Sequence, residues 1–443
     1  MSQPMENEPE AVSERIKRAG EILRHWTWTE PTVWTERMLA ALIQGVKGGK
    51  WFSLIDKIYP ERTLRAAYDQ VAANKGSAGV DHVTTTMFGD RLDENLKKLS
   101  EQLRNGSYRP QAIRRHYIPK PGSQEKRPLG IPTVRDRVVQ TALRMVIEPI
   151  FEQEFAEHSY GFRPGRGCKD ALRRVDELLK DGYIYIVDAD LKSYFDTIPH
   201  DRLMALVGQK VSDGRVLTLI EAFLKQGILD DLREWTPETG SPQGAVVSPL
   251  LSNIYLNPLD HMMAQAGFQM VRYADDFVIL CRTPEKAERA LAVVQEWTAE
   301  AGLKLHPTKT RIVNATIDSF EFLGYRFSKG KRFPRAKSLK KLKDTIRAKT
   351  KRTNGQCLPA IIGSLNPTLR GWFEYFKHSY KTTFPELDGW TRGRLRSILR
   401  KRQKKRGRGR GSDHQRWPNA YFADLGLYSL NAAHQLACQS SSR

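Results

Sequence analysis

Residues 270–281 read MVRYADDFVILC, an acidic pair placed between two apolar runs. The run from Phe277 to Cys281 is rich in β-branched and aromatic residues, which is typical of a strand, and Met270-Val271 begins a similar run. A tight turn between two such strands would hold Asp275 and Asp276 at its tip. Two adjacent carboxylates are tolerated there only if a cation lies close by. The stretch therefore predicts a β-hairpin whose turn binds a metal ion.

A second strand could bring another carboxylate to the same turn. Residues 183–190 read YIYIVDAD and end at Asp190. Asp188 shares a strand face with Asp190, because side chains alternate with a period of two, so these residues leave both carboxylates as candidates. A cluster of hard oxygen ligands suits Mg²⁺, and two ions about 3.5–4 Å apart can activate a hydroxyl and stabilise a leaving pyrophosphate. We therefore predict a site for two Mg²⁺ ions.

The bulk properties of the chain exclude several classes of protein. Its 443 residues are enough for two or three domains with buried cores, so no disulfide or metal staple is needed. The four cysteines lie far apart without a CxxC pair, which argues against a zinc module and fits a reducing cytosol. There is no signal-peptide pattern and no apolar run of membrane-spanning length. We expect a cytoplasmic protein without membrane contact.

Most of the net charge of +22 lies in one stretch of the chain. Residues 331–410 contain 25 Lys and Arg against 4 Asp and Glu. Such a field would concentrate a polyanion, and binding should weaken steeply with salt. Aromatic and apolar residues interleave with the charges, as in the LRGWF run at residues 369–373. This pattern favours a folded nucleic-acid-binding domain over a solvated basic surface or tail.

Composition divides the chain into four segments. A helical stripe from Trp34 to Val46 characterises the first segment, and Leu339, Leu342 and Ile346 mark an amphipathic helix near the start of the basic segment. Within that segment, Arg406–Gly411 (RGRGRG) predicts a mobile basic loop. The predicted segments are 1–60, an N-terminal helical extension; 61–330, an α/β or α+β catalytic domain; 331–430, a basic helical domain; and 431–443, a C-terminal tail.

Other sequence blocks surround YADD in the order in which reverse transcriptases carry them. YADD alone is a weak signal, since acidic pairs in turns commonly bond the backbone. The additional blocks are Arg127–Thr133 (RPLGIPT), Gly161–Gly167 (GFRPGRG), Asp190–Asp196 (DLKSYFD), Ser241–Ser248 (SPQGAVVS), Gly302–Lys309 (GLKLHPTK) and Phe322–Tyr325 (FLGY). With them the chain resembles reverse transcriptases. Residues 74–81 (NKGSAGVD) resemble an N-terminal block of the intron-encoded members, and residues 365–376 resemble the maturase, or X, domain of group II intron proteins.

The resemblance implies a fold and a set of metal ligands. The fold is an α+β right-hand polymerase, with fingers and an antiparallel palm sheet, followed by an α-helical thumb formed by the X domain. Asp190 and Asp275 match the two principal metal ligands and Asp276 a supporting carboxylate, which favours Asp190 over Asp188. Phe195 matches the bulky residue that blocks a ribose 2′-OH. Its alternative role is that of an ordinary aromatic residue of the palm core.

The resemblance also implies which residues bind the nucleotide and the nucleic acid. Lys120 and Arg127 match fingers residues that grip the triphosphate, one as a mobile point charge and the other as a bidentate fork. Lys309 matches a lysine proposed as general acid to the departing pyrophosphate, with Lys304 as an alternative. Gln243 and Gly244 match the block that lines the sugar of the nucleotide and the nascent base pair. Nucleic-acid contacts are expected from Arg163, Arg166, Lys340, Lys341, Lys343, Arg370 and Trp372.

The implied function is RNA-directed DNA synthesis combined with intron splicing. The expected partners are dNTPs, an RNA template with a DNA primer, the group II intron RNA and target DNA, in the bacterial cytosol or nucleoid. The final residues lack the Cys/His set of an HNH endonuclease, so we expect a form without that domain that uses a primer supplied by other means. The alternatives are a stand-alone enzyme of phage defence or CRISPR adaptation, a splicing-only RNA-binding maturase, and an RNA-dependent RNA polymerase, which Phe195 and YADD disfavour.

Overall fold

The computed structural model describes residues 26–119, 126–230, 233–405 and 411–441. These described residues divide into two compact units, one within residues 1–178 and 187–312 and the other within residues 179–186 and 313–443. The four segments expected from composition stay a prediction. Most of the expected basic loop, from Arg406 to Arg410, lies outside the described residues.

Helices and strands alternate along most of the described chain. The helices up to residue 300 are α1 (Glu36–Gln44), α2 (Ile55–Ile58), α3 (Glu61–Ala73), α4 (Thr85–Gly89), α5 (Leu92–Asn105), α6 (Val134–Glu152), α7 (Cys168–Lys180), α8 (Tyr194–Thr197), α9 (His200–Gly208), α10 (Gly214–Leu224), α11 (Ser248–Gln265) and α12 (Pro284–Glu300), with a 3₁₀ turn at Lys47–Gly49. The strands are β1 (Ile113–Pro119), β2 (Lys126–Ile131), β3 (Tyr185–Asp190), β4 (Ile228–Asp230), β5 (Arg233–Trp235), β6 (Gln269–Tyr273), β7 (Asp276–Cys281), β8 (Arg311–Asn314), β9 (Ser319–Phe322), β10 (Tyr325–Ser328) and β11 (Lys331–Pro334). The later helices are α13 (Ala336–Lys349), α14 (Leu358–Phe376), α15 (Thr383–Arg402), α16 (Gly411–Arg416), α17 (Asn419–Asp424) and α18 (Leu430–Ser441).

The N-terminal helical stripe is shorter than its sequence pattern. Helix α1 begins only at Glu36, where the Thr35 side chain accepts a hydrogen bond from the backbone of Met38 and caps the first turn. Trp34 lies before the helix, is buried, and donates its indole N–H to the carbonyl of Met145 at 2.9 Å. The aromatic residue therefore serves packing against α6.

The first unit contains a small mixed sheet with strand order β2-β1-β4-β5. Strands β1 and β2 are antiparallel, with Ile118 opposite Arg127, and β1 runs parallel to β4. Helix α6 follows β2 after Thr133, whose hydroxyl caps it by accepting from the backbone N–H of Asp136. Helix α6 is buried along nearly its whole length and packs against α2, α3 and α11.

The hairpin predicted around YADD is confirmed. Strands β6 and β7 are antiparallel, with Tyr273 opposite Asp276, and belong to a sheet of order β6-β7-β3-β8. Helices α11 and α12 pack on β6 and β7, and the residues from Phe277 to Ile279 are fully buried. Strand β3 begins two residues later than its apolar pattern suggests, at Tyr185, and continues through Asp190. The acidic residue is thus the last residue of the strand.

The second unit contains a three-stranded antiparallel sheet and the helices from α13 onward. The sheet has the order β11-β10-β9. The amphipathic helix predicted at Leu339 to Ile346 is confirmed as α13, and its Leu342 and Ile346 lie in an apolar core that also includes Trp417 and Phe422. The predicted α+β class with a helical C-terminal region is confirmed. Over the described ranges, no helix combines the length and apolarity needed to cross a bilayer.

Because Ile346 is fully buried in this core, Ile346→Ala should lower the free energy of unfolding by about 2–5 kcal/mol through reduced burial and the cavity left behind. Chemical denaturation of the purified protein measures this change. The control is the exposed Lys340→Ala on the same helix, which should change stability by less than about 0.5 kcal/mol. Equal effects of the two substitutions would contradict the packing described for α13.

Candidate active site and nucleic-acid contacts

The acidic pair lies at the tip of the β6–β7 hairpin. Ala274 and Asp275 form the turn, and Ala274 adopts a left-handed conformation with φ of 59°. The Asp275 side chain is half-buried, whereas Asp276 begins β7 and is exposed. The turn therefore presents its two carboxylates in different environments.

Asp190 is close enough to Asp275 to affect its ionisation. Burial raises the pKa of Asp275, and the negative charge of Asp190 raises it further. Strands β3 and β7 are neighbours in the sheet, so the end of β3 lies beside the hairpin. Two carboxylates from segments far apart in the sequence thus share one region, and a divalent cation there would relieve their repulsion.

The expected cluster of three carboxylates is not assembled. Across the described ranges, no three His, Cys, Asp or Glu side chains are gathered as a metal site would require. The Asp190 carboxylate instead accepts a hydrogen bond from the Lys309 ammonium at 2.5 Å. The two acidic groups that do lie close together, Asp190 and Asp275, offer the hard oxygen atoms that Mg²⁺ prefers. They fit a magnesium ion, and Lys309 supplies the positive charge beside Asp190.

The residues that the sequence left as alternatives have different partners. Asp188 pairs with Arg311 at 3.8 Å, while Asp190 pairs with Lys309. The backbone carbonyl of Lys304 accepts from the backbone N–H of Lys192. The backbone N–H of His306 donates to the carbonyl of Asp190 at 2.7 Å, which ties the segment that carries Lys309 to the end of β3.

A buried hydrogen-bond network supports the hairpin turn. Arg272 is fully buried and forms a bidentate ion pair with Asp260 of α11. Its Nη1 also donates to the carbonyl of Ala274 and to Oδ1 of Asn253, both at 2.9 Å. Asn253 in turn donates to the carbonyl of Gly161 at 2.8 Å. Sequence reasoning missed these partners, although an arginine inside an apolar strand run is a signal of a buried pair.

Arg127, one of the residues expected to bind the nucleotide, acts on the Asp275 carboxylate of this turn. The positive charge of Arg127 partly offsets the rise in the pKa of Asp275, so the guanidinium is within electrostatic reach of the acidic site. The N–H of Gly130 on β2 donates to the carbonyl of Gln243 at 2.6 Å. Gly244 has a φ of 106° and packs against the carbonyl of Gly130, where a side chain would clash. Lys120 lies outside the described residues.

Phe195 is held firmly after the end of β3. Its ring is half-buried and meets Tyr194 edge-on, with centroids 5.4 Å apart. Its carbonyl accepts from the backbone N–H of Ser241 at 2.7 Å, and Gly240 packs against the same carbonyl. The SPQG block therefore fixes the backbone of the expected steric gate, whose role stays a prediction.

The phosphate contact expected of Arg163 is wrong. Arg163 is buried, with a bidentate ion pair to Glu152 and hydrogen bonds to the carbonyls of Ala156 and Ser159. These groups occupy the N–H donors of Arg163 inside the protein, so its side chain stabilises the loop that follows α6. Arg166 is half-buried and donates to the carbonyl of Glu157, and its nucleic-acid contact stays a prediction.

The basic helices of the second unit present a mixed cationic and aromatic surface. Lys340 and Lys341 are exposed on α13. Lys343 and Arg347, one helical turn apart, lie 5.7 and 5.4 Å from the ring centroid of Trp390 on α15. Sequence reasoning missed Trp390 and Arg347, although the spacing of four between the two cations was a usable signal.

Arg370 and Trp372, the other two residues of the second unit that were expected to contact nucleic acid, differ in exposure. Arg370 is exposed and lies over the ring of Tyr428 at 5.4 Å. Trp372 is half-buried, stacks on Phe376 and packs against the helical core. Packing accounts for much of the Trp372 surface, and a nucleic-acid role for either residue stays a prediction.

Comparison with known proteins identifies two domains and several relatives. The reverse transcriptase (RNA-dependent DNA polymerase) family matches residues 118–327, and the group II intron, maturase-specific domain matches residues 339–417. Protein YkfC of Escherichia coli (strain K12) is 34% identical over 345 residues, which cover 69% of this chain and 86% of that protein.

Two intron-encoded proteins are also similar to this chain. Group II intron-encoded protein LtrA of Lactococcus lactis subsp. cremoris is 38% identical over 222 residues, 50% of this chain and 36% of LtrA. An uncharacterized 91 kDa protein in the cob intron of Schizosaccharomyces pombe is 32% identical over 324 residues, 60% of this chain and 40% of that protein. The alignments thus span less than half the length of these two relatives. The chain belongs to the group II intron-encoded reverse transcriptases and carries both the RNA-directed DNA polymerase domain and the maturase domain of that family.

Proposed function

We propose that this chain copies RNA into DNA with two Mg²⁺ ions and also binds its group II intron RNA to assist splicing. Mobility would follow by target-primed reverse transcription, in which the target DNA supplies the primer. The observation that carries the proposal is the electrostatic grouping of Asp190, Asp275 and Arg127, because polymerisation needs carboxylates for metal and a cation for the triphosphate.

Asp190 and Asp275 would hold the magnesium ions, with Asp276 in support. When bound, the ions would activate the primer 3′-hydroxyl and stabilise the charge on the leaving pyrophosphate. Arg127, with Lys120, would neutralise the triphosphate as it binds, since a guanidinium fork pairs with two phosphate oxygens at once. These groups bind and orient the nucleotide, so most of their effect is positioning and charge stabilisation.

Lys309 would have two successive roles. Before the nucleotide binds, its ammonium balances the charge of Asp190 through a 2.5 Å hydrogen bond. Its side chain is largely exposed, so it can turn from Asp190 toward the departing pyrophosphate and donate a proton to it. The same lysine would thus stabilise the acidic site before nucleotide binding and assist release of the leaving group.

The intron RNA is the partner that the maturase domain favours. The surface formed by Lys340, Lys341, Lys343 and Arg347 around Trp390 offers cations for phosphates and a ring for stacking. The match to the maturase-specific domain favours this reading over a stand-alone reverse transcriptase. The intact acidic and cationic groups of the polymerase domain favour it over a splicing-only protein. Its expected place of action is the bacterial cytosol or nucleoid.

Asp275→Ala should abolish DNA synthesis, because it removes a metal ligand, while RNA binding and assisted splicing persist. Primer extension on an RNA template with a DNA primer, Mg²⁺ and dNTPs measures the first effect, and splicing of the intron RNA measures the second. The exposed Asp201→Ala is the matched control and should extend primers normally. Wild-type extension by Asp275→Ala would refute the assignment, and equal loss of splicing would refute the separation of functions.

Phe195→Ala should admit ribonucleotides, because the smaller side chain leaves room for a 2′-hydroxyl. The ratio of kcat/KM for a ribonucleotide to that for its deoxynucleotide should rise by about an order of magnitude or more. Single-nucleotide incorporation with each substrate measures the ratio. Phe195→Tyr keeps the bulk and should keep the wild-type ratio. An unchanged ratio in Phe195→Ala would leave this residue as a core aromatic only.

Replacing Lys340, Lys341, Lys343 and Arg347 together with Gln should weaken intron RNA binding and flatten its salt dependence. The slope of log K against log salt should fall by roughly 0.7–0.9 for each phosphate that the protein no longer neutralises. Filter binding over a salt series measures it. A control with the same charge change replaces four exposed residues of the first unit, Lys97, Lys98, Lys286 and Arg289. Identical slopes in the two variants would show that the four thumb charges are merely solvated.

A further inference from the structure

We propose that Arg272 is a positioning residue for the catalytic turn, and that together with Asp260 and Asn253 it sets the direction in which Asp275 presents its carboxylate. The inference rests on the proposed function, since it assumes that Asp275 binds the metal ion. The donors of the Arg272 guanidinium bond Asp260, Asn253 and the carbonyl of Ala274. Arg272 acts through the backbone of Ala274, the residue that precedes Asp275.

The ion pair with Asp260 fixes the position of the Arg272 side chain. Arg272 is 0% exposed and Asp260 is 5% exposed, so both charges are removed from water. Nε of Arg272 donates to Oδ1 and Oδ2 of Asp260 at 2.8 and 3.0 Å, and Nη2 also donates to Oδ2. A planar guanidinium bound to both carboxylate oxygens cannot rotate freely. Helix α11, which carries Asp260, therefore anchors the guanidinium beneath the hairpin.

The third guanidinium nitrogen of Arg272 is bonded to the hairpin turn. Nη1 donates to the carbonyl of Ala274 and to Oδ1 of Asn253, at 2.9 Å each. Ala274 has a φ of 59°, a left-handed conformation that residues with a side chain rarely adopt. The hydrogen bond to its carbonyl fixes the peptide group that links Ala274 to Asp275. The orientation of the Asp275 backbone thus depends directly on Arg272.

A second contact closes the turn from the other side. Asn253 donates to the carbonyl of Gly161 at 2.8 Å, and Gly161 packs so tightly on the Tyr273–Ala274 backbone that a methyl group would clash there. The segment that ends at Gly161 also follows the edge of β6, because the backbone of Arg272 donates its N–H to the carbonyl of His158 and accepts from the N–H of Tyr160. The turn is therefore held between Arg272 and the GFRPGRG block.

Stability alone does not explain this arrangement. A buried ion pair contributes little net stability compared with apolar residues of similar size, because both charges lose their hydration. A buried arginine that bonds a carboxylate, an amide oxygen and the turn carbonyl at once instead selects one geometry. Metal ligands depend on such supporting hydrogen bonds, whose removal typically weakens metal binding or activity.

The test compares three variants of the full chain. Arg272→Lys keeps the positive charge but loses the planar fork, and Asn253→Ala keeps the Asp260 pair but cuts the link to Gly161. The matched control is Arg400→Lys, which alters another buried arginine–carboxylate pair, with Asp413, in the second compact unit. For each protein, Mn²⁺ binding is measured by electron paramagnetic resonance with template–primer and no nucleotide. Melting temperature, template–primer affinity, kcat and the Mg²⁺ concentration for half-maximal primer extension are measured alongside.

Arg272→Lys should weaken Mn²⁺ binding by about 10–100-fold and raise the Mg²⁺ requirement, with template–primer affinity unchanged. Asn253→Ala should show the same change to a smaller degree, and it keeps the test decisive if Arg272→Lys does not fold. Arg400→Lys should lower the melting temperature without changing Mn²⁺ binding. Melting temperatures that fall in the two turn variants while Mn²⁺ binding and the Mg²⁺ requirement stay at wild-type values would overturn the proposal. Failure of the proposed function would appear instead in the wild type, as absent extension and absent Mn²⁺ binding.

Discussion

The repulsion between the carboxylates of Asp190 and Asp275 is the constraint on which the rest of the site depends. Burial raises the pKa of Asp275 and the charge of Asp190 raises it further, so this pair is costly unless positive charge lies nearby. Cationic side chains supply that charge, among them Lys309, Arg127 and the buried Arg272. Lys309 bonds Asp190 directly, and the charge of Arg127 reaches Asp275. Lys309 and Arg127 are also the residues expected to meet the triphosphate and the departing pyrophosphate, so the groups that stabilise the acidic pair are those that a nucleotide would engage.

The backbone around the two carboxylates is rigid where the chemistry requires it. The hairpin turn is held by Arg272 and Gly161, the end of β3 by the N–H of His306, and Phe195 by the SPQG block. The long side chain of Lys309 is by contrast largely exposed. A fixed backbone with an exposed cation suits a reaction in which negative charge moves from a triphosphate to a pyrophosphate.

Sequence patterns predicted the elements that neighbouring residues determine. They missed the contacts between side chains that lie far apart in the sequence. The hairpin followed from an acidic pair between two apolar runs, and α13 from the spacing of Leu342 and Ile346. The burial of Arg163 could not be foreseen, because an arginine in a Gly- and Pro-rich block looks exposed until Glu152 is placed beside it. The Lys309–Asp190 pair joins residues 119 positions apart. Such a pairing depends on the assembled sheet.

The most direct test of the account is iron-mediated cleavage of the protein backbone. Fe²⁺ can replace Mg²⁺ at an oxygen-ligand site, and with ascorbate and peroxide it generates radicals that cut the chain beside the bound ion. The account predicts cuts near both Asp190 and Asp275, suppressed by excess Mg²⁺ and absent in Asp275→Ala. Cleavage at neither position, or cuts that excess Mg²⁺ does not suppress, would contradict the claim that these two carboxylates form one metal site.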